Sequence, residues 1–272
     1  MDSPNLGSLI NLSRYPINAL DQTTGKALVA RLREELRDEG LCLLRGFLTS
    51  AAIAQLVEQA KAVEKHAYYG LKAASPYFND YEPELPVDHP RNIHTQRELG
   101  LVAADLIPAD CILQQLYESD ALLGFLAALL NKEALYRLDD PYQRVNITVM
   151  PEGAGHNWHF DSGDFVVTLM LRKPEQGGNF ECVPKLRRVD DENYEGVKAV
   201  LRGCRDNVRI VDFEPGTLMV FRGMYALHRV SPVVGNRARL NAVLTYSTDP
   251  HWKGDTRFNA LLYGARAESS HE

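Results

Sequence analysis

From Tyr142 onward the chain breaks into short apolar or alternating stretches that stop at turn residues, and this rhythm restricts the second half to a β architecture. RVNITVM, DFVVTLML, GNFECV, VRIVDF, GTLMVF, ALHRVSPV and RLNAVLTY are rich in Val, Ile, Leu, Thr and Phe, whose branched or planar side chains suit a pleated surface. Between them lie PEG, KPEQGG, EPG, RG and GN, where Gly and Pro supply the backbone angles of turns. Segments this short and this closely spaced indicate an antiparallel sandwich or barrel. One interruption, PKLRRVDDENYEGVKAVLRGCRDN (184–207), is charged and too long for a hairpin turn. Its length suggests a helical insertion or lid.

The first half has a different period. In TGKALVARLREELRDE, Leu28, Val29, Leu32 and Leu36 form a helical stripe that ends at Gly40. Ser50 is expected to cap a second helix, in which Ile53, Leu56, Val57, Ala60 and Val63 step by three and four until Gly70. A third helix is expected over Ser119 to Leu130, and PYFNDYEPELPVDHPRNIH, which has no period, should be loop. The chain therefore divides into a mainly helical region over 1–140, a β core over 141–250 carrying the 184–207 insertion, and a C-terminal segment over 251–272.

Charge and composition exclude several partners. The formal charge of −6, without a long Lys/Arg run, argues against nucleic acid. The N-terminus lacks a basic start followed by an apolar core, and no window is apolar for the length of a membrane span. A cytoplasmic protein without a membrane partner is expected. Cys42, Cys111, Cys182 and Cys204 never form a C-x-x-C pair, which excludes a zinc knuckle and suggests buried free thiols.

The chemistry concentrates in HNWHFDSGDF, His156 to Phe165. In His159-Phe-Asp161 the polar side chains stand at i and i+2, so on extended backbone they project to one side and could hold one cation. A second histidine, His228, lies in ALHRVSPV on a later strand. Two imidazoles and one carboxylate on one face of a metal leave open the positions that non-haem Fe(II) oxygenases use for a cosubstrate and dioxygen. Downstream, Arg237 and Arg239 begin the last strand segment. Guanidiniums beside a metal suit a dicarboxylate such as 2-oxoglutarate, although either could instead face solvent at a strand edge. Asn146 and Thr148 alternate on the first barrel strand and could reach the same cosubstrate from the inner face, or could equally be pleat positions facing solvent.

From about Val145 to Pro250 the sequence resembles the Fe(II)- and 2-oxoglutarate-dependent oxygenases. More narrowly, HNWHFD, GGNFECVP, DDENYEGV, PGTLMVF, LHRVSPVVGNRARL and TYSTDP, with PRNIH further upstream, resemble the BesD-type radical amino-acid halogenases and their hydroxylase relatives. The resemblance implies a double-stranded β-helix, a jelly-roll barrel of the cupin kind, with the helical region packed on it. It also implies Fe(II) held by His159, Asp161 and His228, with 2-oxoglutarate bound by Arg239, or Arg237 as second choice, and dioxygen as co-reactant. Its substrates are free cationic amino acids, lysine first, then ornithine and similar molecules. In the halogenases of this group the carboxylate position is Gly or Ala, which opens a chloride site. This chain has Asp161 there, so the resemblance implies hydroxylation, with succinate and carbon dioxide as co-products.

For such a substrate, Arg91 in PRNIH is the expected partner of the α-carboxylate, Asp139 and Asp140 of an ammonium, and His156 of the polar end. Trp158, Phe160, Phe165 and Phe221 are expected to wall the site. The alternatives are the same chemistry on another small metabolite and a metal-free jelly-roll binding module. Helices packed on a barrel often offer a dimer face, and a homodimer is the one protein partnership the sequence leaves open.

Overall fold

Two antiparallel sheets and a layer of helices form the architecture of the computed structural model, which describes residues 6–70 and 72–267. Residues 1–5 of the expected helical region and 268–272 of the expected C-terminal segment lie outside the described residues.

In chain order the strands are β1 (Leu41–Leu44), β2 (Gly100–Val102), β3 (Val145–Met150), β4 (His156–His159), β5 (Val166–Arg172), β6 (Phe180–Val183), β7 (Arg209–Val211), β8 (Leu218–Phe221), β9 (Leu227–Val230) and β10 (Arg239–Leu244). The larger sheet runs β1-β8-β5-β10-β3-β2 and the smaller β7-β6-β9-β4. Both are antiparallel throughout, the mostly β jelly-roll pattern expected. The helices are α1 (Thr23–Glu39), α2 (Ser50–Glu64), α3 (Ile112–Tyr117), α4 (Asp120–Leu130), α5 (Tyr194–Leu201) and α6 (Thr256–Tyr263).

Strand alternation separates core from site. In β3, Val145, Ile147 and Val149 enter the core shared with α1, α2 and α4, whereas Asn146, Thr148 and Met150 face the cavity between the sheets. In β10, Leu240 and Ala242 join that same core and Arg239, Asn241 and Val243 line the cavity. The helical stripe of α1 buries Leu28, Val29, Leu32 and Leu36. Each fully buried Leu contributes roughly 1.5–3 kcal/mol, so this one face holds the helix layer in place. Gly40 ends α1 at φ 76, a left-handed cap that glycine adopts without a Cβ penalty.

The structure departs from expectation at the edges of the larger sheet and at the cap of α2. The first half supplies both edges of the larger sheet: β1 pairs with β8 and β2 with β3. Isolated four- and three-residue strands leave too short a period to read in sequence. Thr49, not Ser50, caps α2, its hydroxyl accepting from the Ala52 N–H at 3.2 Å. The 184–207 insertion contains α5, whose Val197 and Val200 pack with Trp158, Phe160, Val183 and Leu227. The C-terminal segment contains α6, which returns to the cavity mouth. No helix among the described residues is long and apolar enough to cross a membrane.

Candidate functional site

The centre of the cavity is built by pairing β4 with β9. His228 is registered directly opposite His159, and their ring centroids stand 4.1 Å apart. The His159 Nδ1 meets the carbonyl of Asn157 at 2.6 Å, and the His228 Nδ1 meets that of Ala226 at 2.9 Å. A carbonyl only accepts, so both Nδ1 atoms carry protons and both Nε2 lone pairs are left for the cavity. Asp161 Oδ1 lies 3.7 Å from the His159 Nε2, and its Oδ2 lies 3.3 Å from the His228 Nε2.

The three side chains offer donor atoms within 4.8 Å of one another. Oδ2 of Asp161 is buried with no hydrogen-bond partner. Burial holds the His159 imidazole well below the usual histidine range, aided by the charge of His228. Burial also pushes the Asp161 carboxyl up, with His228 opposing. Two imidazoles that turn Nε2 to the cavity and a partnerless carboxylate oxygen form a donor set that a divalent transition metal would complete. The residues present therefore fit such an ion.

A bulge brings a third imidazole to the site. Between His156 and His159 β4 spans three residues, while β9 spans two between their partners Val230 and His228. The extra residue turns His156 to the same face as His159, although i and i+3 on a regular strand point apart. Their rings stack at 3.7 Å, and the His156 Nε2 is buried without a partner. Burial holds this imidazole well below its ordinary range, with the neighbouring charges of His159, Arg97, His228 and Arg239 adding to the effect. Phe78 covers the pair, its ring edge-on to His159 at 5.5 Å. Its φ of 56 is an outlier for a bulky residue.

The cavity has a volume of about 790 Å³, within the ~300–1,000 Å³ usual for small-molecule sites. Arg239 lines it and is 3% exposed. Its Nε has no partner, and burial lowers its pKa to about 10. Arg97, which sequence reasoning missed, lines the same cavity at 7% exposure. It too has a partnerless Nε and is lowered by burial to about 10. An arginine in HTQRELG between short strands carries no sequence signal; only the fold turns it inward.

Asn146 and Thr148 share one face of β3, and the fold turns that face to the cavity. The Asn146 Oδ1 accepts from the Tyr263 hydroxyl at 2.7 Å, which ties α6 to the barrel. The Thr148 hydroxyl donates to the carbonyl of Asn241 at 3.1 Å. Phe160, Phe165 and Phe221 also line the cavity.

Five expected residues are not brought to it. Arg237 is exposed and donates to the carbonyl of Pro174 at 3.2 Å. It precedes β10, so the alternation that turns Arg239 inward does not reach it. Arg91 is occupied by an ion pair with Glu82 beside the Tyr77 ring. Asp140 is buried in a local turn: its Oδ1 accepts from the N–H groups of Tyr142 and Gln143 at 2.8 and 2.7 Å, and its Oδ2 from the Asn259 amide at 3.0 Å. Its neighbour Asp139 is exposed. Trp158 alternates with His159 and packs beneath α5, with the Arg229 guanidinium 4.9 Å from its ring centroid.

The insertion closes one side. Arg187 lies 4.1 Å over the Phe160 ring and donates to the carbonyl of Met224 at 2.5 Å and to Glu192 at 3.0 Å. Asp88 pairs with Lys198 and Arg202, joining α5 to the proline-rich loop.

A family model described as Halogenase D matches residues 79–260. No curated protein matches the chain. Among solved structures, an oxidoreductase of the 2OG-Fe(II) oxygenase family from Burkholderia pseudomallei is similar at 15% identity and a TM-score of 0.52, over 81% of this chain and 91% of that one. AviO1 from Streptomyces viridochromogenes Tue57 is similar at 19% identity and a TM-score of 0.53, over 83% and 96%. The epimerase SnoN from nogalamycin biosynthesis, in complex with Fe3+, alpha ketoglutarate and nogalamycin RO, is similar at 12% identity and a TM-score of 0.55, over 81% and 84%. At these identities the likeness is one of fold.

Proposed function

The chain belongs to the Halogenase D family, and from that premise we propose that it is an Fe(II)- and 2-oxoglutarate-dependent hydroxylase of a small carboxylate-bearing molecule, a free amino acid in the first instance. The observation that carries the reading is the convergence of His159, Asp161 and His228 on one point beside the buried, unpartnered Arg239.

In this reading His159, Asp161 and His228 hold the metal, and Arg239 holds the far carboxylate of 2-oxoglutarate, with Asn146 and Thr148 lining its berth. Bound there, the metal and cosubstrate would supply, with dioxygen, the oxidising power for attack on an unactivated C–H bond, with succinate and carbon dioxide as co-products. The chain's own part is orientation and dryness. Each imidazole is fixed by its Nδ1–carbonyl bond, while Phe160, Phe165 and Phe221 exclude water. Arg97 is the candidate partner for a substrate carboxylate in place of Arg91, because it is buried, uncompensated and in the cavity. His156, stacked on His159 with a free Nε2, is the candidate for a further polar contact.

Hydroxylation rather than halogenation follows from Asp161. A carboxylate donor at this position takes the place that a halide would need. The resemblance names lysine and ornithine, whose side-chain ammonium requires a carboxylate or carbonyl partner in the cavity.

The test is anaerobic loading with Fe(II) and 2-oxoglutarate. A weak visible charge-transfer band is expected in the wild type and absent in His159→Ala and His228→Ala. No band in the wild type would sink the oxygenase reading. Under air in chloride buffer the product should gain one oxygen; a chlorinated product would overturn the argument from Asp161.

A further inference from the structure

The charges that face the cavity do not balance for a basic substrate. Among the described residues lining it, the carboxylates are Asp161 and Asp164. Asp164 is already neutralised, with Lys132 at 3.1 Å and Arg222 at 3.4 Å. Asp161 belongs to the donor cluster. The lining cations are Lys132 and Arg187, each paired with an acid, and Arg97 and Arg239, for which no acid lies within ion-pair distance. The expected ammonium partner, Asp140, has both oxygens committed to local donors and does not line the cavity.

From this imbalance, and resting on the oxygenase reading above, we infer that the substrate is an amino acid with an uncharged aliphatic or aromatic side chain, or a related acid, and not lysine or ornithine. One buried guanidinium is used by the cosubstrate's far carboxylate. Whichever of Arg97 and Arg239 takes that role, the other stays uncompensated. A buried charge without a partner is costly, so the remaining guanidinium calls for a second carboxylate. The substrate's α-carboxylate pairs with that guanidinium, and its α-ammonium is common to all the candidates, whereas a side-chain ammonium adds one more cation to a lining with no free acid.

The rest of the lining agrees. Leu99, Leu101, Leu138, Val243, Trp252 and Phe258 offer apolar surface for a side chain. The polar groups among them, such as Gln143 and Thr245, are neutral.

The test compares norleucine with lysine, whose side chain has the same four carbons and carries an ammonium on the last of them. Each is titrated by calorimetry, without oxygen, into enzyme loaded with Fe(II) and 2-oxoglutarate and already showing the charge-transfer band. Norleucine should bind more than about tenfold tighter than lysine, the factor expected from leaving one buried ionic group without a partner. Arg97→Met should weaken norleucine by a similar factor at unchanged melting temperature, and Arg97→Lys should restore part of the loss. Lysine binding as tightly as norleucine overturns the inference and leaves the oxygenase reading standing. So does a panel in which leucine, norleucine and phenylalanine all fail to bind. Absence of the band at the outset overturns both.

Discussion

A Cβ on Gly223 would stand 1.8 Å from Oδ2 of Asp161, so the carboxylate occupies its place beside the two imidazoles only because residue 223 has no side chain. The Gly223 carbonyl also accepts the Asp161 N–H at 3.2 Å. The glycine thus fixes the backbone of the donor and clears the space for its oxygen.

Gly223→Ala should therefore act as an Asp161 variant without touching Asp161. Affinity for Co(II) or Fe(II), measured by anaerobic titration, should fall roughly 10–100-fold, the range for loss of a group that orients a metal ligand. The far-UV circular dichroism spectrum should stay that of the wild type. Unchanged affinity would show that the carboxylate is not a ligand in its present position.

Asp161→Gly should remove the carboxylate donor and vacate its volume. Oxygen insertion should fall by at least about 100-fold, the scale on which positioning groups act in catalysis. Mass spectrometry of the product in chloride buffer should show chlorine incorporation if access of halide is what the aspartate prevents.

Arg239 and Arg237 should separate cleanly. Arg239→Ala removes a fully buried charge and should raise the KM for 2-oxoglutarate roughly 30-fold or more. Arg237→Ala removes an exposed side chain bonded to a carbonyl and should change it less than about twofold. Steady-state succinate formation reads both.

The cysteines should divide by burial. Burial pushes the Cys42 thiol up to about 12 and the Cys182 thiol up to about 11, and raises Cys111 as well. A raised pKa means less thiolate at any given pH, so at about pH 8 these groups stay protonated and unreactive. Cys204 is exposed. A chromogenic disulfide reagent should label Cys204 quickly in the native protein and all 4 cysteines after denaturation.

Arg187→Ala should loosen the insertion. The guanidinium joins Met224, Glu192 and the face of Phe160, so its loss removes one of the ties that hold the insertion over the site, beside the packing of Val197 and Val200 and the Asp88 ion pairs. Amide hydrogens across 186–201 should exchange about tenfold faster, while those of β3 and β10 stay protected. Succinate formation uncoupled from substrate oxidation should rise in parallel.

The positions with a local period were legible in sequence. α1 spans Thr23–Glu39 where the apolar stripe places it, and α4 starts after Ser119, whose hydroxyl accepts from Leu122 at 3.2 Å. His159, Asp161 and His228 were legible as metal-type donors, because the i, i+2 spacing and strand register put them on one face. Strand alternation also put Asn146 and Thr148 on one face, and the fold turned that face inward. The substrate side was not legible: Arg91 and Asp140 are the right residue types near the right segments, yet each is consumed by a nearby partner, Glu82 in one case and backbone N–H groups in the other.

The sequence by itself determined the β core, its turns and the donor types, because short-range periodicity and turn chemistry act over a few residues. The tertiary structure alone decided the rest. It added β1 and β2 to the edges of the larger sheet, and turned His156 inward through a one-residue bulge. It left Arg237 outside and buried Arg97, across the chain from the motifs, in the same cavity as Arg239. These are matters of register and long-range packing, in which a residue's surroundings come from segments distant in sequence, and no local pattern encodes them.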